Sequence, residues 1–417
     1  MPKTDLKYGR ITLPITFDDS RFAVLGADHW KEPLTDAEIG QRLDETIESA
    51  GLDDLIHAGD RVLLVAPDAT RQTGAGQIVN LLVRRLIADG SAPADLNIIF
   101  ATGIHRRVTD EERKAILSPF IVQRINTIDH DAGDPIRNFR VGETSGGIPV
   151  ELNWTLTEFD HIVLIGGVTF HYFAGFTGGR KLICPGLASA KTIEATHRLA
   201  FDCEAMGRRK GVGAGLLDGN AVHEAFVEAA SFAKPRFAVN TVVDDHGRIT
   251  DIFCGNWLTS HRRACDVYAD QHTVRIEEKR DVVIASCGGY PLDINMIQAH
   301  KALEAASAAC REGGTIVLLA ECADGLGRND FLDWFDPKDS AALAQKLCDA
   351  YQVNGQTAWS LLKKAERFDI RLVSGLDAQT VQKMRLSSAE PSVVQQVIDE
   401  AASGFIIPFG AKFRIDR

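Results

Sequence analysis

The sequence predicts two α/β domains with mostly parallel sheets and an active site in the cleft between them. Short apolar runs recur along the chain, each followed by a segment of helical spacing, the pattern of strands joined by crossover helices. The length of 417 residues suits two or three domains. One polar stretch, Asp266 to Arg280, interrupts the alternation. Domains are therefore expected at residues 1–270 and 271–417.

The first buried strand is Arg61 to Ala66, followed by the loop Pro67 to Gly74. Ile78 to Asp89 has helical apolar spacing and stops at Gly90. Leu96 to Ala101 is the next strand and opens into Thr102-Gly-Ile-His105, after which Thr109-Asp-Glu-Glu112 has the capping-box pattern of a helix start. His161 to Ile165 is a third strand, with a long glycine-rich loop from Gly166 to Gly186 behind it. Ser189 is placed to cap a helix carrying Lys191, Glu194 and His197. The second half repeats the theme. It has a strand at Asp281 to Ser286, the loop Cys287 to Asp293, a helix through Ala309, and a strand at Thr315 to Ala320.

Composition narrows the function classes. Hydrophobic residues make up 45% and charged residues 25%, enough apolar material for a sizeable core. The formal net charge of -11 argues against nucleic acid as the main partner, because phosphate contacts need a basic surface. A small anionic substrate stays compatible with it, since the field inside a cleft can oppose the net charge. The eight cysteines form no C-x-x-C, and their irregular spacing gives no disulfide framework. The first residues have no apolar signal region, and no apolar run approaches a membrane span. These readings lead us to expect a reduced cytoplasmic chain without membrane partners.

In open α/β sheets the loops after the carboxyl ends of strands form the ligand crevice. The chain's unusual polar residues fall in those loops: Asp68 and Arg71 after one strand, His105 after the next, His171 and Lys181 after a third. Gln298 and Lys301, three residues apart on the helix after a fourth strand, can face one site. A lone loop histidine is usually solvated, but so many sets after successive strands point to a site. The densest segment is Ala174 to Gly186, with four glycines in thirteen residues, Gly178 and Gly179 among them. Such a loop lets backbone N–H groups turn inward around an anion. It is not a Walker A loop, because the glycine-to-lysine spacing differs and Leu182 replaces the magnesium-binding hydroxyl. No G-x-G-x-x-G opens a helix after a strand, and H-E-x-x-H is absent.

At these residues the chain resembles the lactate racemase family, whose members carry a nickel-pincer nucleotide built from nicotinic acid mononucleotide. The matching segments are Asp68-Ala-Thr-Arg71, Thr102-Gly-Ile-His-Arg106, His171 through Lys181, Pro185-Gly186, Thr192-Ile193 through His197, Leu292-Asp-Ile-Asn295 and Gln298-Ala-His-Lys-Ala302. The resemblance implies a racemase or epimerase that inverts C2 of a 2-hydroxyacid by hydride transfer to and from that cofactor. Lys181 would join the cofactor covalently, with Asp68, Gly178 and Gly179 beside it, and His197 would ligate the nickel. His105 and His171 would be the acid/base pair on opposite faces of the substrate carbon. Arg71, Gln298 and Lys301 would hold the substrate's carboxylate and oxygen. Accessory enzymes that synthesise the cofactor are implied as partners.

Two positions depart from the family pattern. Gln72 stands where proline is expected, and Ile297 stands where lactate racemase has an aromatic residue. Both changes fall at the substrate end, so the expected substrate is larger than lactate, with Gln72, Thr73 or Arg106 meeting its extra hydroxyl or carboxylate. Lactate racemase proper is the alternative. A conventional NAD-dependent 2-hydroxyacid dehydrogenase is another, but it lacks its fingerprint here. A non-catalytic carrier of the cofactor would be expected to lack one of the two histidines. Cys184 reads as a packing residue, and Trp359 receives no site role.

Overall fold

The computed structural model describes residues 1–26 and 31–417. The chain divides into two units: Trp30–Ala200 with Gly211–Ala269, and Met1–His29 with Phe201–Lys210 and Asp270–Arg417. The main division falls between Ala269 and Asp270, inside the polar stretch. Two segments outside a single cut there, at the N-terminus and at Phe201–Lys210, go with the second unit.

The main sheet of the first unit is built from β1 (Thr46–Ile47), β2 (Val62–Pro67), β3 (Leu96–Ala101), β4 (Asn126–Asp129), β5 (His161–Gly167), β6 (Phe237–Val243) and β7 (Ile249–Gly255). They form one sheet in the order β1-β7-β6-β5-β2-β3-β4. Only the β6–β7 pair is antiparallel. All of β2 is buried, as befits a parallel strand covered by helices on both faces. The unit's main helices are α1 (Ala75–Ala88), α2 (Asp110–Ile116), α3 (Ala190–Arg198), α4 (Ala221–Ser231) and α5 (Thr259–His272). In α1, Ile78, Val79, Leu82, Val83 and Leu86 bury one stripe. The expected capping box at Thr109 and Glu112 is present, and Ser189 caps α3 by accepting from the Thr192 N–H.

α1 begins three residues before the apolar periodicity, at Ala75, because Gly74 turns the chain with φ +66° and Gly76 lets it approach its neighbour. A Cβ on Gly76 would lie 1.7 Å from the Ile116 carbonyl oxygen. In an open helix Gly→Ala stabilises by up to about 1 kcal/mol. Here the fixed backbone on the other side reverses the sign. Gly76→Ala is expected to destabilise by about 1–3 kcal/mol, the usual scale of overpacking, read as a lower urea midpoint. A midpoint at or above that of the parent would refute the close approach.

In the second unit, β8 (Arg280–Ser286), β9 (Cys310–Leu319), β10 (Asp369–Val373), β11 (Ser387–Ala389) and β12 (Gly404–Ile407) form a parallel sheet with Phe22–Val24. The order is β11-β10-β9-β8-β12, with Phe22–Val24 at the edge beside β12. Helix α6 (Met296–Ala309) follows β8 and buries Met296, Ala299, Ala302, Leu303 and Ala306. The inserted Phe201–Lys210 segment is fixed within this unit by an edge-on contact of Phe201 with Trp359 and by Arg208 pairing with Glu304. Cys203 and Cys348 form a disulfide there, where the sequence led us to expect a reduced chain. Their separation of 145 residues leaves no local pattern from which to read it. Among the described residues no helix is long and apolar enough to cross a membrane.

His130, just past β4, ties two loops of the first unit together. Its Nε2–H donates to the Ala188 carbonyl at 3.0 Å, and Asn153 Nδ2 donates to its Nδ1 at 3.0 Å, so the ring is satisfied only when neutral. Burial pushes its pKa down to about 4. The folded value lies below the unfolded value near 6.5, so this contribution to stability is complete above about pH 6.5 and is lost as pH falls from there through 4. Stability should drop by up to about 1.4 kcal/mol per pH unit in that window for this group alone. Replacing His130 with Gln should flatten the acid slope of the urea midpoint by that amount, and an unaltered slope would rule out His130 as its source.

Candidate functional site

Three strand ends of the first unit carry the polar loops. After β2, the chain turns through Asp68, whose carboxylate accepts from the Thr70 N–H at 3.0 Å and from its hydroxyl at 2.5 Å. After β3, the Thr102 to His105 loop is pinned to the glycine-rich loop by the Gly103 N–H, which donates to the Gly186 carbonyl at 2.9 Å. This pinning presents His105 to Asp68, with Nδ1 2.6 Å from Oδ2. The His105 side chain is 33% exposed and that of Asp68 only 6%, so the carboxylate backs the ring and the imidazole keeps an open side. Burial alone would raise the Asp68 carboxyl, but His105, Arg71 and Thr70 outweigh it and hold it well below the usual carboxylate range. Arg71 has its guanidinium pKa lowered by burial, opposed by the attraction of Asp68.

The glycine-rich loop after β5 brings three more of the expected residues around one ring, Phe173. His171 meets it edge-on at 4.4 Å between centroids, His197 meets it edge-on at 5.1 Å, and Lys181 Nζ lies 5.8 Å from its centroid. Phe226 of α4 closes the other side, 5.6 Å from Lys181 Nζ and 5.2 Å from the His197 ring. Lys181 and His197, sixteen positions apart in sequence, thus converge on the same pair of aromatic walls. The loop reaches this shape through Gly178 and Gly179, with φ +75° and +50°. A Cβ on Gly179 would strike the His261 ring at 2.5 Å.

The hydrogen bonds fix tautomers. A carbonyl only accepts, so His197 donates Nδ1–H to Ile193 O at 2.7 Å and keeps its lone pair on Nε2. Burial, reinforced by the Lys181 ammonium, pushes His197 down to about 3, so it stays a neutral donor atom at working pH. His105 likewise gives Nδ1–H to Asp68 and keeps a lone pair on Nε2. His171 is the reverse: its Nδ1 accepts from the Ala174 N–H at 3.2 Å, so its neutral form carries hydrogen on Nε2. In their neutral forms, His105 presents a lone pair at Nε2 and His171 presents an N–H there.

The described residues contain no group of three or more His, Cys, Asp or Glu placed to hold a metal. Around Phe173 the chain offers one imidazole nitrogen, on His197, and one amine, on Lys181. Cys184 is buried, and its thiol is pushed up to about 12, which fits packing rather than ligation.

Gln298 and Lys301 lie in the second unit on α6, where Lys301 Nζ donates to Gln298 Oε1 at 2.5 Å. Arg106 forks onto Glu112 at 2.8 and 2.6 Å. The buried Thr73 hydroxyl accepts from the Ala75 N–H. Sequence reasoning missed Phe173 and Phe226 as walls, because an aromatic in a loop or on a helix reads as ordinary core. It also missed Arg180, which is fully buried between Gly179 and Lys181.

The lactate racemase N-terminal domain matches residues 8–207 of this chain and the lactate racemase C-terminal domain matches residues 276–403. Lactate racemases of Thermoanaerobacterium thermosaccharolyticum and Lactiplantibacillus plantarum are each 33% identical over 347 residues, covering 81% of this chain and 80% of each relative. The solved lactate racemase apoprotein from T. thermosaccharolyticum superposes with a TM-score of 0.87 at 28% identity, covering 100% of both chains. A Thermotoga maritima protein shares the fold with a TM-score of 0.72 at 21% identity, over 93% of this chain and 100% of its own.

Proposed function

The chain belongs to the lactate racemase family and is a racemase, and from that premise we propose that it inverts C2 of a 2-hydroxyacid longer than lactate, using a nickel-pincer nucleotide held by Lys181 and His197. The observation that carries this reading is the convergence of His171, Lys181 and His197 on Phe173. When bound, such a cofactor supplies an acceptor, and then a donor, for the hydride at C2. The chain's own residues do the rest. His105, through the lone pair on Nε2, takes the hydroxyl proton on one face, and His171, in its imidazolium form, returns one on the other. Asp68 holds the His105 ring and its tautomer. Gly178 and Gly179 shape the loop around the cofactor. Arg71, Gln298 and Lys301 are assigned to the substrate's carboxylate and oxygen, so that the planar ketoacid is retained between the two half-reactions.

The extra group on the substrate is a hydroxyl rather than a second carboxylate. Of the side chains considered for it, Arg106 is paired with Glu112 and Thr73 is buried. Gln72, packed over Gly247, is a neutral amide suited to a hydroxyl. Single enantiomers of lactate, malate and four- to six-carbon polyhydroxy acids, incubated with nickel-loaded enzyme, should lose configuration at C2 fastest for the polyhydroxy acids. A preference for lactate would reject the longer substrate, and a preference for malate would reject the hydroxyl.

A further inference from the structure

A cavity of the first unit lies between α4 and the first turn of α5. It has a volume of about 390 Å³, within the roughly 300–1,000 Å³ of small-molecule pockets. Leu258 and Thr259 on its wall follow the end of β7, which runs antiparallel to β6. They therefore lie toward the opposite end of the strands from the loops of Asp68 and His105, whereas His261 on the same wall packs against the glycine-rich loop.

Three features of this cavity ask for a ligand. Leu217, Val227 and Leu258 give it an apolar side. His223 Nδ1 and Thr259 Oγ1, on lining residues, are buried polar atoms with no hydrogen-bond partner, an arrangement that costs free energy until something fills it. Behind His261 lies Arg180, fully buried. Its NH2 donates to Ala174 O at 2.6 Å, NH1 reaches Gly178 O at 3.4 Å and the His261 ring at 3.2 Å, and Nε has no partner. No carboxylate among the described residues pairs with it, and a buried cation without a counter-charge is costly. The acids on the wall are already occupied: Glu224 accepts from the Gly219 N–H, and Glu228 accepts from the Ser145 N–H and hydroxyl. Arg262 at the mouth pairs with the exposed Asp218, a partner that a ligand carboxylate can replace at little cost.

We propose that this cavity binds a small organic monocarboxylate with a branched apolar body, its charge set against Arg262, in the field of Arg180 behind His261, and its body against Leu217, Val227 and Leu258. Calorimetric titration of the purified full-length chain with 3-methylbutanoate should show saturable one-site binding. The uncharged 3-methylbutanamide should bind at least about tenfold more weakly, since charge-assisted pairing is lost. Val227→Trp, which fills the cavity, and Arg262→Gln should each weaken the acid at least about tenfold, while Arg71→Ala should leave it unchanged. Equal binding of acid and amide, or no saturable binding, would overturn the proposal. So would parental affinity in Arg262→Gln, which decides the matter if Val227→Trp does not fold. Loss of binding in Arg71→Ala would place the acid at the site of Asp68 and His105 and equally reject a second one. None of these readings depends on racemase activity.

Discussion

Lys181→Ala protein produced with the cofactor-building enzymes and nickel is expected to show the mass of the bare chain under denaturing conditions, whereas the parent chain carries the added organic group. The lysine is the amine that the glycine-rich loop holds between Phe173 and Phe226. Alanine leaves nothing there to form the covalent bond. His197→Ala separates the two roles. It should keep the organic mass, because Lys181 is untouched, and should lose most of its nickel by elemental analysis. His197 keeps a lone pair on Nε2, and alanine offers none. Organic mass retained in Lys181→Ala would refute covalent attachment at this lysine. Full nickel in His197→Ala would remove His197 as the ligand without disturbing the attachment.

Much of this arrangement is written in short-range patterns, and what is not has a physical reason. The apolar runs at β2, β3 and β5 mark parallel strands buried on both faces, and the pairs Thr109–Glu112 and Ser189–Thr192 mark helix starts, because strand burial and capping are decided within a few residues. The polar loops follow from the topology, so Asp68, His105, His171 and Lys181 stand out early. The docking of Phe201–Lys210 on the second unit depends on partners more than ninety residues away, such as Glu304 for Arg208. The Cys203–Cys348 pair is equally remote. The tautomers of the histidines are set by backbone groups, the Ile193 carbonyl and the Ala174 N–H, which carry no sequence signature at all. The commitment of Arg106 to Glu112 was within reach, since Glu112 was already recognised as the capping residue, but its second role as an ion-pair partner shows only in three dimensions.

Replacing either proton-transfer histidine should cost at least about a hundredfold in turnover, the lower end of what a positioned acid or base contributes. His105→Ala removes the lone pair on Nε2, and His171→Ala removes the opposing N–H. The sharper test is Asp68→Asn, which keeps the shape and removes the charge. The carboxylate accepts Nδ1–H from His105 at 2.6 Å and thereby fixes the lone pair on Nε2. An amide can instead donate to Nδ1, and the neutral ring then carries its hydrogen on the nitrogen that should accept. Loss of the correct tautomer in a carboxylate–histidine pair costs up to about 10⁴-fold elsewhere, so Asp68→Asn is expected to fall between about 10² and 10⁴ in kcat with a smaller change in KM. Folding should change less, because Thr70 can still donate to the remaining carbonyl oxygen. Deuterium at C2 should stay largely on carbon in the parent and in all three variants, since these residues handle the hydroxyl proton and not the C2 hydrogen. Parental turnover in His105→Ala or His171→Ala would sink the paired-base reading. Washout of C2 deuterium in the parent would show proton abstraction at carbon and would give His105 and His171 a different task.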